Sequence, residues 1–312
     1  MGMTICQKLQ ESPAPAAVAL GCFDGLHMGH QRVISGAINA DGLLPTVFTF
    51  DASPQADICG KGAPQLMTNG RKLAFLERMG VEQVYMLPFA EIRQMTAEDF
   101  VSRTLCGLLH AKKVCCGFNF HFGHGGKAGS ETLKELCGRQ GISVEIVPEV
   151  RLNGKSVSST AIRACLERGD VEEANAMLGR CFGFDFAVVH GRRLGRELGT
   201  PTINQPLPPG FIRPKFGVYA SVVQIDGNDY CGVTNIGVKP TVGSDYALAE
   251  TWIPDYDGDL YGRPIPVELL KFIRPEQKFS GIRELKQAIL RDGETARKIL
   301  QELYLQKNFP VL

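Results

Sequence analysis

Ala17-Val18-Ala19-Leu20-Gly21-Cys22-Phe23-Asp24-Gly25-Leu26-His27-Met28-Gly29-His30 decides how the first half of the chain is read. An apolar run ends in a glycine-flanked turn, and two histidines three residues apart come next. On the first turn of a helix, residues three apart share a face, so His27 and His30 would project together. Gly29 between them lets a ligand come close to the backbone. A helix N-terminus offers free N–H groups and positive partial charge to a phosphate. Two imidazoles add donors for charge that develops on an α-phosphate or on departing pyrophosphate. A lone His-x-Gly-His fits a pair of helix-capping histidines as well; its place directly after a strand-like run favours the phosphate reading.

Outward from this stretch, apolar runs at 17–21, 46–50, 83–88, 113–117 and 143–148 predict strands. Helical patterns at 30–40, 72–79, 96–109 and 130–139 lie between them, and Thr96 and Asp99 have the spacing of a capping box. Such alternation implies right-handed crossovers and a parallel sheet covered on both faces. Ligands of such sheets bind beyond the carboxyl ends of the strands. The histidine stretch and residues 117–126 both come directly after strands, so both should open into that crevice. A helical stretch covers 160–178, with Asp170 placed to cap its second helix and Glu172 and Glu173 in the first turn. After Gly183 the pattern changes. Short alternating runs at 184–190, 218–224 and 265–272 are separated by Gly, Pro and Asp turns, the mark of a small antiparallel barrel or sandwich. Residues 282–303 return to helical periodicity as closing helices. The domain boundary is expected near Gly183.

A chain of 312 residues fits two domains better than one. Its 44% hydrophobic and 21% charged residues fit a soluble globular protein. The net charge of +1 carries no general footprint for nucleic acid. No apolar stretch approaches the roughly 20 residues that span a bilayer, and the N-terminus lacks a basic region leading into a long apolar core. None of the ten cysteines forms Cys-x-x-Cys, and the adjacent Cys115-Cys116 is a poor metal spacing. They are read as buried free thiols of a protein in the reducing cytoplasm. Oligomeric state is not set by any of these features.

The second half holds Gly191-Arg192-Arg193-Leu194-Gly195-Arg196-Glu197-Leu198-Gly199, a basic glycine-rich run whose N–H groups could wrap phosphates or form a plain hairpin turn. Pro201-Thr202-Ile203-Asn204 comes immediately after it. On an extended strand Thr202 and Asn204 share one face. Both are hard oxygen ligands suited to Mg²⁺ on a nucleotide, although a polar edge strand would look the same.

These stretches resemble two families. Gly21 to His30, with Gly117-Phe118-Asn119-Phe120-His121-Phe122-Gly123 and Ser158-Ser159-Thr160-Ala161-Ile162-Arg163, resembles the nucleotidyltransferase superfamily, and within it the N-terminal module of bacterial bifunctional riboflavin kinase/FMN adenylyltransferases. Gly199 to Asn204, Gly217-Val218-Tyr219, Asn235-Ile236-Gly237-Val238-Lys239-Pro240-Thr241, Glu250, Asp257-Gly258-Asp259-Leu260-Tyr261-Gly262 and Ile273-Arg274-Pro275-Glu276-Gln277-Lys278-Phe279 resemble riboflavin kinases. The resemblance implies a Rossmann-like α/β domain over 1–183 and a small antiparallel β-barrel over 184–312 with C-terminal helices. It implies that ATP phosphorylates riboflavin to FMN in the second domain and adenylylates FMN to FAD in the first. His27 and His30 would be catalytic, with Gly21, Phe23, Asp24 and Gly25 at the nucleotide. Asn119 would lie at the flavin and adenylate site, and Ser158, Ser159, Thr160 and Arg163 on the ATP phosphates. In the kinase, Gly195 and Gly199 would cradle phosphate and Thr202 and Asn204 would hold Mg²⁺–ATP. Glu250 would take the proton from the ribityl hydroxyl, and Arg274 would lie in a segment that closes over flavin. Taken alone, Glu250 reads as a surface glutamate.

Two departures stand out. The first family usually has Phe-x-Pro-His-Pro after its second strand, where this chain has Phe50-Asp51-Ala52-Ser53-Pro54. Kinases of the second often have His two residues after the glutamate, where this chain has Trp252. His121 and His124 read as surface or flavin-loop residues, not a metal pair. The Ala52-Ser53 departure leaves open a monofunctional kinase with a binding-only first domain. The His pair alone also fits another small-molecule nucleotidyltransferase, and a flavin carrier without catalysis is a third reading.

Overall fold

The computed structural model describes residues 2–52, 62–191, 199–241 and 244–305. The chain divides into two compact units, Met1–Ser158 and Ser159–Leu312.

The first unit is built on six parallel strands: β1 (Thr4–Cys6), β2 (Ala16–Leu20), β3 (Leu44–Phe50), β4 (Gln83–Leu87), β5 (Ala111–Gly117) and β6 (Ser143–Val147), in the order β1-β4-β3-β2-β5-β6. The chain leaves β2 toward β3 and β4, then returns to its other side as β5. The order therefore reverses between β2 and β5, where doubly wound sheets bind ligands. Both predicted loops leave from these two neighbouring strands.

Strand alternation feeds two cores. Ala16, Val18, Leu20 and Cys116 pack with the helix Ala97–Asp99, which continues as a π-helix over Phe100–Leu108 (together α3), and with α4 (Ser130–Arg139). Ala17, Ala19 and Cys115 pack on the other face with α1 (Met28–Ile38) and α2 (Asn69–Met79). Adjacent Cys115 and Cys116 thus point to opposite faces, which rules out a shared metal. Burial pushes Cys115 to about 12 and Cys116 to about 11. The nine described cysteines are all free thiols; Cys59 lies outside the described residues.

Three local expectations are refined. The edge strand β1 has no counterpart among the predicted strands. Thr96 does accept from the Asp99 N–H at 3.0 Å, but the Asp99 carboxylate turns to Arg103 at 2.9 Å, so only half a capping box forms. Asp170 precedes its helix without capping it; its carboxylate pairs with Arg168 at 2.9 Å.

The second unit opens with α5 (Ser159–Arg168) and α6 (Val171–Leu178). Asn175 on α6 stitches them to the sheet, donating to the Leu269 carbonyl at 2.9 Å and accepting from the Phe182 N–H at 2.7 Å. The sheet is antiparallel, with β7 (Phe182–Phe184), β8 (Thr202–Pro206), β9 (Gly217–Ile225), β10 (Asn228–Thr241), β11 (Ser244–Trp252) and β12 (Val267–Arg274) in the order β7-β12-β9-β10-β11-β8. The run expected as one strand over 184–190 is instead a short strand leading into isolated bridges, Ala187 to Pro264 and Val189 to Asn204. That segment joins the two edges and closes the sheet into a barrel. The buried Gln205 amide reinforces the seam, donating to the carbonyls of Phe186 at 2.6 Å and Ile265 at 2.7 Å. The closing element is a single 24-residue helix, α7 (Ile282–Leu305), not several.

Candidate functional site

In the first unit, β2 is wholly buried and delivers the chain into a turn with unusual backbone. Phe23 (φ 52°), Gly25 (φ 81°) and Leu26 (φ 43°) are all left-handed. Phe23 and Leu26 are nevertheless almost fully buried and anchor the turn in the core. Gly21 is required by the same turn, because a Cβ there would lie 2.9 Å from the Phe23 ring. Asp24 accepts from the Leu66 N–H at 2.9 Å, which ties the turn to the chain ahead of α2.

His27 is the N-cap of α1, and its Nδ1 accepts from the His30 N–H at 3.3 Å. With Nδ1 so engaged, the neutral ring carries its proton on Nε2. The two imidazoles stack, with centroids 3.6 Å apart and planes at 20°, and Phe23 meets His30 edge-on at 5.3 Å. Gly29 leaves room for this stack, since a Cβ there would sit 3.1 Å from the His27 ring. The result is a rigid pair of imidazoles at a helix N-terminus beyond the carboxyl end of a parallel strand.

After β5, Phe118 donates its N–H to the Val147 carbonyl at 2.9 Å and leaves its ring half exposed. Asn119, His121 and His124 are exposed, and His121 Nδ1 meets the Asn119 carbonyl at 2.9 Å. Ser158 ends the first unit. Ser159 and Thr160 open α5 and Arg163 is half-buried on it, so these three belong to the second compact unit. Ala52 is exposed; Ser53 and Pro54, the rest of that departure, lie outside the described residues.

In the second unit, register assembles the site. Asn204 on β8 pairs with Glu250 on β11, and Glu250 pairs on its other side with Asn235 on β10. Directly opposed residues of antiparallel strands share a face, with Cβ atoms about 4.5–5.5 Å apart. Glu250 is therefore half-buried between two amides. Thr202, two residues before Asn204, pairs with Trp252 on the same face. Among the described residues, no hydrogen-bond partner reaches the buried Asn204 Oδ1 and Thr200 Oγ1. A buried oxygen left unpaired is costly, and hard oxygens of this kind fit a cation or its hydration shell. The residues present thus fit Mg²⁺. Gly191 lets the backbone press onto Asn204, as a Cβ there would lie 2.7 Å from its Nδ2. Gly199 is left-handed (φ 73°), and Gly195 lies outside the described residues.

Arg274 ends β12 and pairs in register with Val218, itself opposite Asn235. Its guanidinium binds both oxygens of Asp292 on α7, at 2.7 to 3.2 Å, and lies 5.6 Å from the Phe279 ring centroid. Asp292 carries no signal in the sequence because it stands 18 residues away on a helix with many acidic and basic neighbours. Trp252 packs under the same helix, where a Cβ at Gly293 would come within 2.7 Å of the indole. The His190 and Tyr261 rings meet at a tilt of 37°, with centroids 3.9 Å apart, where the glycine-rich run begins.

The FAD synthetase family matches residues 9–161, and the riboflavin kinase family matches residues 178–300. Along nearly its whole length the chain is similar to bifunctional riboflavin kinase/FMN adenylyltransferases. It is 34% identical to that of Bacillus subtilis (95% of this chain, 96% of the relative) and 36% identical to that of Escherichia coli (93% and 95%). The chain belongs to the bifunctional riboflavin kinase/FMN adenylyltransferase family. The Pseudomonas fluorescens member is 36% identical, over 90% of this chain and 91% of its own length. A solved structure described as a macrolide-efflux protein from Streptococcus pneumoniae superimposes with a TM-score of 0.85 at 31% identity, covering 95% of this chain and 99% of that one. No helix among the described residues is long and apolar enough to cross a membrane.

Proposed function

We propose that this protein makes FMN and then FAD. ATP phosphorylates riboflavin in the second domain, and a second ATP adenylylates FMN in the first, with release of pyrophosphate. The observation that carries this reading is the presence of two separate sites on one chain: a stacked histidine pair at a helix N-terminus, and a carboxylate set between two amides on a closed barrel. The working boundary lies near Gly183, with 1–183 serving adenylyl transfer and 184–312 serving phosphorylation.

At the first site His27 and His30 stabilise charge on the α-phosphate and on departing pyrophosphate, helped by the positive N-terminal end of α1. Gly21, Phe23, Asp24 and Gly25 shape the nucleotide turn, and Asn119 serves the flavin and adenylate side. By the resemblance alone, Ser158, Ser159, Thr160 and Arg163 serve ATP phosphate oxygens, the arginine through its planar fork. At the second site Glu250 takes the proton from the ribityl 5′-hydroxyl, so that the oxygen attacks the γ-phosphate in line. Thr202 and Asn204 would hold Mg²⁺, which when bound neutralises charge on the nucleotide phosphates. Gly195 and Gly199 let the loop backbone approach those phosphates, and Arg274 orders the segment over the flavin. The near-zero net charge and free thiols support a cytoplasmic enzyme acting on small molecules, not on nucleic acid.

A chromatographic time course of the purified protein with riboflavin, ATP and Mg²⁺ tests the reading. FMN should rise first and FAD should appear after it. FMN that accumulates without FAD, even when FMN is supplied directly, removes adenylyl transfer and points to Ala52-Ser53.

A further inference from the structure

Lys72, on the first turn of α2, is a buried cation that neither proposed reaction uses; only 5% of it is exposed. Its Nζ donates to the Cys22 carbonyl at 3.2 Å and to the Phe50 carbonyl at 3.3 Å. The first belongs to the turn after β2 and the second to the last residue of β3. The Cys22 carbonyl also accepts from Thr49 Oγ1 at 3.0 Å, so both its lone pairs are used. Burial pushes the ammonium's pKa down, opposed by Asp24, the Cys22 thiol and Asp51.

A buried charge is retained only where hydrogen bonds and counter-charges compensate for lost water. Here the compensation comes from carbonyls at the carboxyl ends of two neighbouring strands and from carboxylates beside them. Directly after Cys22 the chain enters the left-handed run at Phe23, Gly25 and Leu26 that ends at His27. Such backbone persists only where its surroundings over-determine it. We infer that Lys72 is a positioning residue for adenylyl transfer, clamping the turn ahead of His27 to the end of β3 and so fixing where the two imidazoles stand. The inference rests on the adenylyl-transfer reading above. It also links the turn to the chain on both sides of the Ala52 departure, through Phe50 on entry and through Asp24 and Leu66 on exit.

The test uses the full chain with Lys72→Met, Lys72→Arg and Thr49→Val, measuring kcat and KM for FMN adenylylation and riboflavin phosphorylation in the same preparation. Misplacing a catalytic group by about 1 Å can cost on the order of 100-fold, so Lys72→Met should lower adenylylation kcat by about 10–100-fold. The KM for FMN and the kinase rate should stay near wild type. Lys72→Arg keeps a cation and donors and should recover much of the loss. If only packing of the stem mattered, Met would outperform the bulkier Arg. That ranking, or wild-type kcat in both variants, overturns the inference. Thr49→Val removes the other donor to the same carbonyl and should lower kcat several-fold; an unchanged kcat there overturns it even if the Lys72 variants misfold. Absence of FAD from the wild-type protein would instead defeat the underlying reading.

Discussion

Asp292→Asn should destabilise the second unit by about 2 kcal/mol, and the structure sets that figure. The Asp292 side chain is 7% exposed and that of Arg274 is 21% exposed, with the closest contact at 2.7 Å. Removing one partner from a fully buried ion pair costs about 3–5 kcal/mol, because the other charge is stranded. Arg274 is not fully buried, still donates to the Pro275 carbonyl at 3.2 Å, and would keep one acceptor from the amide. Those residual contacts bring the cost to the lower side, about 2 kcal/mol. For a unit of this size that corresponds to a fall in Tm of about 4–8 °C. Calorimetry of wild type and variant at about 0.1 M and 1 M salt measures it, and the difference should persist at high salt because the pair is shielded from ions. A Tm within about 1 °C of wild type, or a difference that vanishes in salt, would refute the claim that this pair is a desolvated strut.

Glu250→Gln should slow riboflavin phosphorylation by about 10²–10⁴-fold while FMN adenylylation continues, and near-normal kinase turnover would remove Glu250 from the chemistry. His30→Ala should do the reverse, sparing the kinase; equal loss of both activities contradicts the separate-site assignment. Stability should also fall in alkali. Cys115, Cys137 and Cys181 are pushed to about 12 by burial, and Cys116 and Cys231 to about 11, from the usual 9.0. Above about pH 9 the unfolded chain gives up thiol protons that the folded chain keeps, so the unfolding free energy drops as pH rises. Lys72, with its lowered pKa, acts in the opposite sense but is one group against five. Urea midpoints that are level from about pH 8 to 10.5 would show that these thiols are not held in the core.

The first sheet is legible in the sequence because a parallel strand buried on both faces must be continuously apolar, as β2 is. The His27–His30 juxtaposition is legible because helical spacing is local. Thr202 and Asn204 likewise share a face by strand alternation alone. The features that stay hidden depend on distant partners. Three residues at β1 are too few to show a period. The barrel seam depends on the Gln205 amide, which as sequence is an ordinary polar residue. Lys72 and Asp292 sit on helices where charge normally signals solvent, and only their tertiary partners show that they are inside. The pattern over α7 suggests more than one helix because Gly293 interrupts it; the close indole of Trp252 is what that glycine accommodates.

The row Asn204–Glu250–Asn235 has a consequence for how the proposed kinase site comes into being. Its three members arrive on three different strands, and β8 joins the rest only at an edge that the 186–189 segment must seal. The β10–β11 hairpin by itself sets Glu250 beside Asn235, and the row is complete only once β8 brings Asn204 to the edge. Phosphorylating activity should emerge late in refolding, with the closing of the seam, and can serve as a clock for that event.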